Sequence, residues 1–133
     1  MKCVRSIAAL VLLTGLLVSA PGCLGAGAPP PNLTPAANKA WYAAKAQKAL
    51  DEIRDIVQDG NATAPPVFST TTTRRVTVWH ESAITVLHAA GAGWQTAVTT
   101  SLDQLLLNVS PSEKATLAPY VALAKTVLQQ VAP

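Results

Sequence analysis

The sequence predicts an all-α protein: a small up-and-down helical bundle of about four helices, behind an N-terminal signal peptide and a proline-rich tether. Three observations carry that expectation. From Ala43 onward apolar residues recur at steps of three and four, the period of an amphipathic helix rather than of a strand. Capping and breaking residues punctuate the pattern where helices should start and stop. The segment from Met1 to Ala28 follows a different pattern, a short positive start and then an uncharged apolar run.

Lys2 and Arg5 form the positive start, and Ile7 to Val18 (IAALVLLTGLLV) is the apolar run. That run falls short of the roughly 20 residues that span a bilayer as a helix. Small residues then follow in Ser19-Ala20-Pro21-Gly22-Cys23. That order is a secretory signal peptide, assigned here to residues 1–22. Residues 23–33 form a flexible Gly/Ala/Pro tether. Its three consecutive prolines, Pro29 to Pro31, favour an extended path, so that LGAGAPPP spaces the domain by about 20–30 Å. Residues 34–133 form the helical domain.

The first helix is expected from Pro35 to Asp59. Thr34 can cap it, and Pro35 suits the first helical position, where no N–H is needed. Ala43, Ala46, Leu50, Ile53 and Val57 make one apolar seam. Gly60-Asn61 can end it, and Ala64-Pro65-Pro66 blocks immediate continuation. The connection from Gly60 to Thr70 is long, which predicts a first helix packed more loosely than the others.

The second helix is expected over about Thr70 to Ala90. Thr71 to Val78 is rich in β-branched residues, but a strand there would find no partner elsewhere in the chain. Val76, Trp79, Ala83, Val86, Leu87 and Ala90 keep helical period instead. Gly91-Ala92-Gly93 breaks the chain, and a third helix carries Trp94, Val98, Leu102, Leu105 and Val109. Ser110-Pro111-Ser112-Glu113 reads as a capping box for the fourth helix. That helix carries Leu117, Val121, Ala124, Leu128 and Val131, and Pro119 inside it predicts a kink or a split. Short connections favour antiparallel neighbours.

Composition excludes several functions. The net charge of +3 contains Lys2 and Arg5 of the signal segment; without them eight basic residues face seven acidic ones. A nucleic-acid-binding domain clusters Lys and Arg, whereas the one basic pair here is Arg74-Arg75, so no nucleic-acid partner is expected. His80 and His88 lie eight residues apart, about 12 Å along a helix, too far to share a metal ion. His80-Glu81 begins like a zinc-protease motif, but Ile84 stands where the second histidine is needed. No metal site and no cofactor are expected. A triad of His88, Asp103 and Ser101 can be written down but has no local signature. Asp51, Glu52, Asp55 and Asp59 sit among Lys45, Lys48 and Arg54, a solvated face with Lys48–Glu52 spaced as an i,i+4 pair. The chain is therefore read as non-enzymatic, with no catalytic residue.

The aromatic residues divide. Trp79 and Trp94 lie on apolar stripes and are expected in the core. Trp41 and Tyr42 are adjacent, so one of them must point away from the seam of the first helix. That makes Trp41 and Tyr42 the candidate partner contact, since Trp and Tyr are favoured anchors.

The only cysteines are Cys3 and Cys23, and Cys3 would leave with the signal, so the folded region holds no thiol. An exported domain without disulfides must be held by its core alone. Ala20-Pro21-Gly22-Cys23 resembles the lipobox of bacterial lipoproteins, with Ala20 where that family usually carries Leu. In that family the cysteine receives lipid on its sulfur and becomes the mature N-terminus. The resemblance implies a lipidated Cys23 and a membrane partner reached through the lipid. Leu24 after the cysteine, in place of the Asp that marks inner-membrane retention in that family, implies an outer-membrane lipoprotein facing the periplasm. The function implied is a binding or structural module of the cell envelope, meeting an envelope protein or a cell-wall component. Ordinary cleavage after Ala20, Ala26 or Ala28 is the competing reading. It would release a soluble periplasmic or secreted protein, for which a helical carrier of a small apolar ligand is the alternative function.

Overall fold

A computed structural model describes residues 29–131 of the protein. The signal segment, Cys23 and the tether up to residue 28 lie outside the described residues. Four helices follow in order, α1 (Pro35–Asn61), α2 (Thr70–Ala89), α3 (Trp94–Leu107) and α4 (Pro111–Gln130), with no strand among the described residues. α1 packs on α2 and α4, and α3 packs on the same two, while the diagonal pair α2 and α4 is joined at its starts by the Glu113 side chain. The four helices thus form a ring of neighbours, the up-and-down bundle that their short connections favour.

The helix starts follow from local chemistry. Thr34 Oγ1 accepts the Ala37 N–H at 3.2 Å, and Pro35 takes the first helical position. Ser69 Oγ accepts the Thr72 N–H at 3.1 Å to begin α2. Ala90 ends α2 in a left-handed conformation with φ 46°, and Gly93, at φ 75°, opens α3 without a side-chain cap. Ser110, Pro111 and Glu113 form the complete capping box at the start of α4.

The core runs through the whole ring. α1 contributes Ala46, Leu50, Ile53 and Val57, all fully buried, with Ala49 and Ile56 beside them. α2 adds Val76, Ala83 and Leu87; α3 adds Trp94, Val98, Leu102 and Leu105; α4 adds Leu117, Tyr120, Val121, Ala124, Val127 and Leu128. Each large side chain so buried contributes about 1.5–3 kcal/mol against the entropy cost of folding. Among the described residues the core members lie between Ala46 and Val131 and draw on all four helices.

Two expectations are corrected. α1 is not the loose member, because the long connection after it is itself folded. Phe68, 1% exposed, drops into the core over Gly60. The Val67 N–H bonds the Gly60 carbonyl at 2.8 Å, and Asn61 Nδ2 donates to the Phe68 carbonyl at 2.9 Å. α4, in turn, is not split at Pro119 but continues unbroken to Gln130. Pro119 and the residue one turn earlier, Ala115, both face solvent, so water satisfies the carbonyl left without an N–H.

Candidate functional site

α1 is segregated by charge along its axis. Lys39, Lys45 and Lys48 are the charged residues between Pro35 and Lys48, with no acidic residue among them. Asp51, Glu52, Asp55 and Asp59 follow, with Arg54 the one basic residue in their company. This order opposes the helix macrodipole, which favours anions near the N-terminus and cations near the C-terminus. The acidic half has structural partners. Asp51 Oδ1 meets His80 Nε2 of α2 at 2.7 Å and lies 3.6 Å from Arg54 Nη1, and Arg54 also reaches Asp55 at 2.6 Å. His80 is 7% exposed, a buried ring held by a carboxylate, which makes it part of the α1–α2 packing.

The basic half carries the aromatic pair. Tyr42 packs against the core, while Trp41 does not, which resolves the adjacency that the sequence posed. Both are half-buried, and their rings meet edge to face with centroids 5.0 Å apart. Lys45 Nζ stands 4.2 Å from the centre of a Trp41 ring, within the range of a cation–π contact. Ala37, Trp41, Lys45 and Lys48 recur at steps of four, four and three and so share one face. α1 buries no residue before Ala46, and His88 near the end of α2 meets Gln47 at 2.9 Å, so this aromatic and basic half lies at one end of the bundle. It is also the end nearest the tether.

The opposite end is organised by one carboxylate. Glu113 Oε1 accepts the backbone N–H of Ser69 at 2.7 Å, and Oε2 accepts the Thr72 hydroxyl at 3.0 Å. Oε2 also accepts the Ser110 N–H at 3.0 Å and the Ser110 hydroxyl at 2.8 Å. Burial pushes the Glu113 carboxyl up and is the largest single influence. The bonds from the Ser69 N–H, the Ser110 hydroxyl and N–H, and the Thr72 hydroxyl together outweigh it and hold the carboxyl at about 2. A carboxylate that stays ionised while serving four donors has no proton to give, and its role is structural.

The remaining polar residues are engaged apart from one another. His88 bonds Gln47 on α1. Ser101 Oγ accepts the Trp79 indole N–H at 3.0 Å and donates to the Val98 carbonyl at 2.7 Å, and Asp103 pairs with Lys125 of α4. The paper triad is therefore not assembled. Trp94 lies in the core as expected, and Trp79, half-buried, packs against the core and reaches α3 through that indole bond. Arg74 is exposed, and Arg75 donates to the Asn108 carbonyl, which ties α2 to the α3–α4 turn. Among the described residues no group of three or more His, Cys, Asp or Glu side chains could hold a metal ion. A groove of about 370 Å³ between α3 and α4 is lined by Gln95, Thr96, Thr99, Thr100, Leu128, Gln129 and Val131. It is open to solvent, and Gln95 Nε2 across it is taken by the Leu128 and Val131 carbonyls. Val78 and Leu107 are the most exposed large apolar side chains among the described residues.

The sequence singles out Trp41 and Tyr42 and places Lys45 and Lys48 on a solvated face; the structure sets Lys45 over the Trp41 ring. Comparison with protein-family models, with curated proteins and with solved structures finds no match to this chain.

Proposed function

We propose that the chain is an exported module of the cell envelope, anchored through a lipidated Cys23 and acting by binding or by structure rather than by catalysis. The observation that carries this reading is the order of the residues from Met1 to Cys23: the positive start, the apolar run, then Ala20-Pro21-Gly22-Cys23. Once Cys3 leaves with the signal, Cys23 has no thiol partner in the domain behind it, and lipidation gives it a use. The fold suits such a module. The described residues build one core across all four helices, and the first helix starts at Pro35, within reach of a short tether from Cys23. No helix among the described residues is long and apolar enough to cross a membrane, so attachment to one would fall to the lipid.

The test is Cys23→Ser in the full chain, followed by cell fractionation. The variant leaves the membrane fraction, either as uncut precursor or as a soluble exported form. Membrane association unchanged by the substitution, or wild-type protein found in the soluble fraction, overturns the anchored reading.

A further inference from the structure

We infer that the outer face of α2 is a contact between two copies of this chain, an antiparallel pairing of α2 with α2 about a two-fold axis beside Val78, with Arg74 of each copy opposite Glu81 of the other. The surface is set by what α2 leaves outside the bundle. α2 packs on α1 and α3 through a face that includes Val76, Ala83 and Leu87. On the opposite face stand Arg74, Val78 and Glu81, all exposed. Val78 is 58% exposed, and a β-branched residue there, in mid-helix, serves neither the core nor helix propensity. Of the Arg, Lys, Asp and Glu residues in α2, Arg75 is committed to the Asn108 carbonyl. The side chains of Arg74 and Glu81 have no partner among the described residues.

The spacing says what fits. Arg74 and Glu81 lie two turns apart on one stripe, about 10 Å along the helix axis and too far to pair with each other. Neither has an opposite charge three or four residues away on its own helix. A second α2 laid antiparallel, with the two-fold axis midway between them, sets each arginine against the other copy's glutamate. That axis falls between Thr77 and Val78, so the two Val78 side chains meet beside it. Such a contact is isologous, the same patch on both copies, and draws two ion pairs from one pair of residues. The neighbouring hydroxyls do not oppose burial. Ser82 Oγ already donates to the Val78 carbonyl at 3.2 Å, and Thr85 Oγ1 to the Glu81 carbonyl at 2.8 Å. Arg74 and Glu81 are the side chains on this stripe that need a partner from outside, and a second copy supplies both charges at the required separation.

The experiment is disulfide trapping in intact cells that make the full chain. V78C places a thiol from each copy beside the axis, where the Cα atoms of a close helix pair come within about 7 Å, the reach of a disulfide. Copper phenanthroline is the oxidant, and mass spectrometry quantifies the peptide linked through position 78 of both copies. L107C, at a position 74% exposed on α3, measures linkage by random encounter. V78C links well above that background. An exposed ion pair contributes up to about fivefold, and the contact holds two, so V78C/R74E, which sets like charges against each other, loses roughly tenfold or more. V78C/R74E/E81R, with the pair reversed, regains the linkage. Linkage no greater than that of L107C, linkage unchanged by R74E, or a loss that the reversed pair does not recover overturns the inference. Linkage of V78C to a chain of different mass also overturns it, in favour of a foreign partner. Because the link is read at position 78, lipid on Cys23 neither creates nor hides it, so the contact can fail while Cys23 carries lipid, and the reverse.

Discussion

Glu113 accepts the backbone N–H of Ser69, 44 residues earlier in the chain, at 2.7 Å. The same carboxylate closes the capping box of Ser110, so one side chain satisfies backbone donors at the starts of both α2 and α4. Two helices that begin at the same end of the bundle are thereby fixed to each other at a point where both have unsatisfied N–H groups.

That relationship makes stability depend on acid in a definite direction. The Glu113 carboxyl lies at about 2 in the fold, below its ordinary 4.5. A lowered value means that the ionised form stabilises the fold above the ordinary value and that this stability is lost as pH falls from about 4.5 through 2. The whole contribution is on the order of 3 kcal/mol at neutral pH. Chemical denaturation at stepped pH reads it: E113Q is less stable than wild type at pH 7, and the gap closes toward pH 2. A gap that stays constant across that range shows that Glu113 is not held as an ion.

The two caps differ in reach. Ser110→Ala removes one acceptor from α4 and costs about 0.5–2 kcal/mol. Glu113→Ala strips donors at both helix starts and costs more than Ser110→Ala does, because buried N–H groups are then left without partners. Equal denaturation midpoints for the two variants would show that the Ser69 bond contributes nothing.

Gly60→Ala tests how tightly the connection after α1 is folded. A Cβ at Gly60 would stand 2.5 Å from Phe68 Cδ2, and that ring is fully buried with no free end to swing away. Helix propensity favours alanine by about 1 kcal/mol. Overpacking of about 1–3 kcal/mol opposes it, so the net effect is destabilising or nearly neutral rather than stabilising. Phe68→Ala, which opens a cavity, costs about 3–5 kcal/mol. A stabilised Gly60→Ala protein would place Phe68 elsewhere.

Ala90→Gly should do the opposite. Ala90 ends α2 at φ 46°, a conformation that costs an L-residue about 1–2 kcal/mol and that glycine adopts freely. Allowing for the greater freedom of glycine in the unfolded chain, the substitution stabilises the domain by several tenths of a kcal/mol. Thermal denaturation of the two proteins side by side checks the sign.

The helices were legible in the sequence because their evidence is local. The seam of Ala46, Leu50, Ile53 and Val57 and the box of Ser110 and Glu113 each declare themselves within a turn or two. What escaped depends on distant contacts. Phe68 stands alone among turn residues with no periodic neighbour, and only Gly60 beneath it shows why an aromatic belongs there. The reach of Glu113 to Ser69 and Thr72 leaves no trace in either segment, because a capping glutamate looks the same with one cap to serve or two. Pro119 predicts a kink or a split, and whether it splits the helix depends on whether water reaches the carbonyl of Ala115 that it leaves without an N–H. At the candidate site, Trp41 and Tyr42 were visible by composition; which of them faced the core required the bundle itself.

Lipid on Cys23 is the central claim, and the intact mass of the mature protein tests it most directly. Protein isolated from the membrane fraction should begin at Cys23 and carry the added mass of a diacylglyceryl group on that residue, with acyl label from fatty acid supplied to the cells. A soluble mature protein of unmodified mass that begins at Pro21, Gly27 or Pro29 would contradict it.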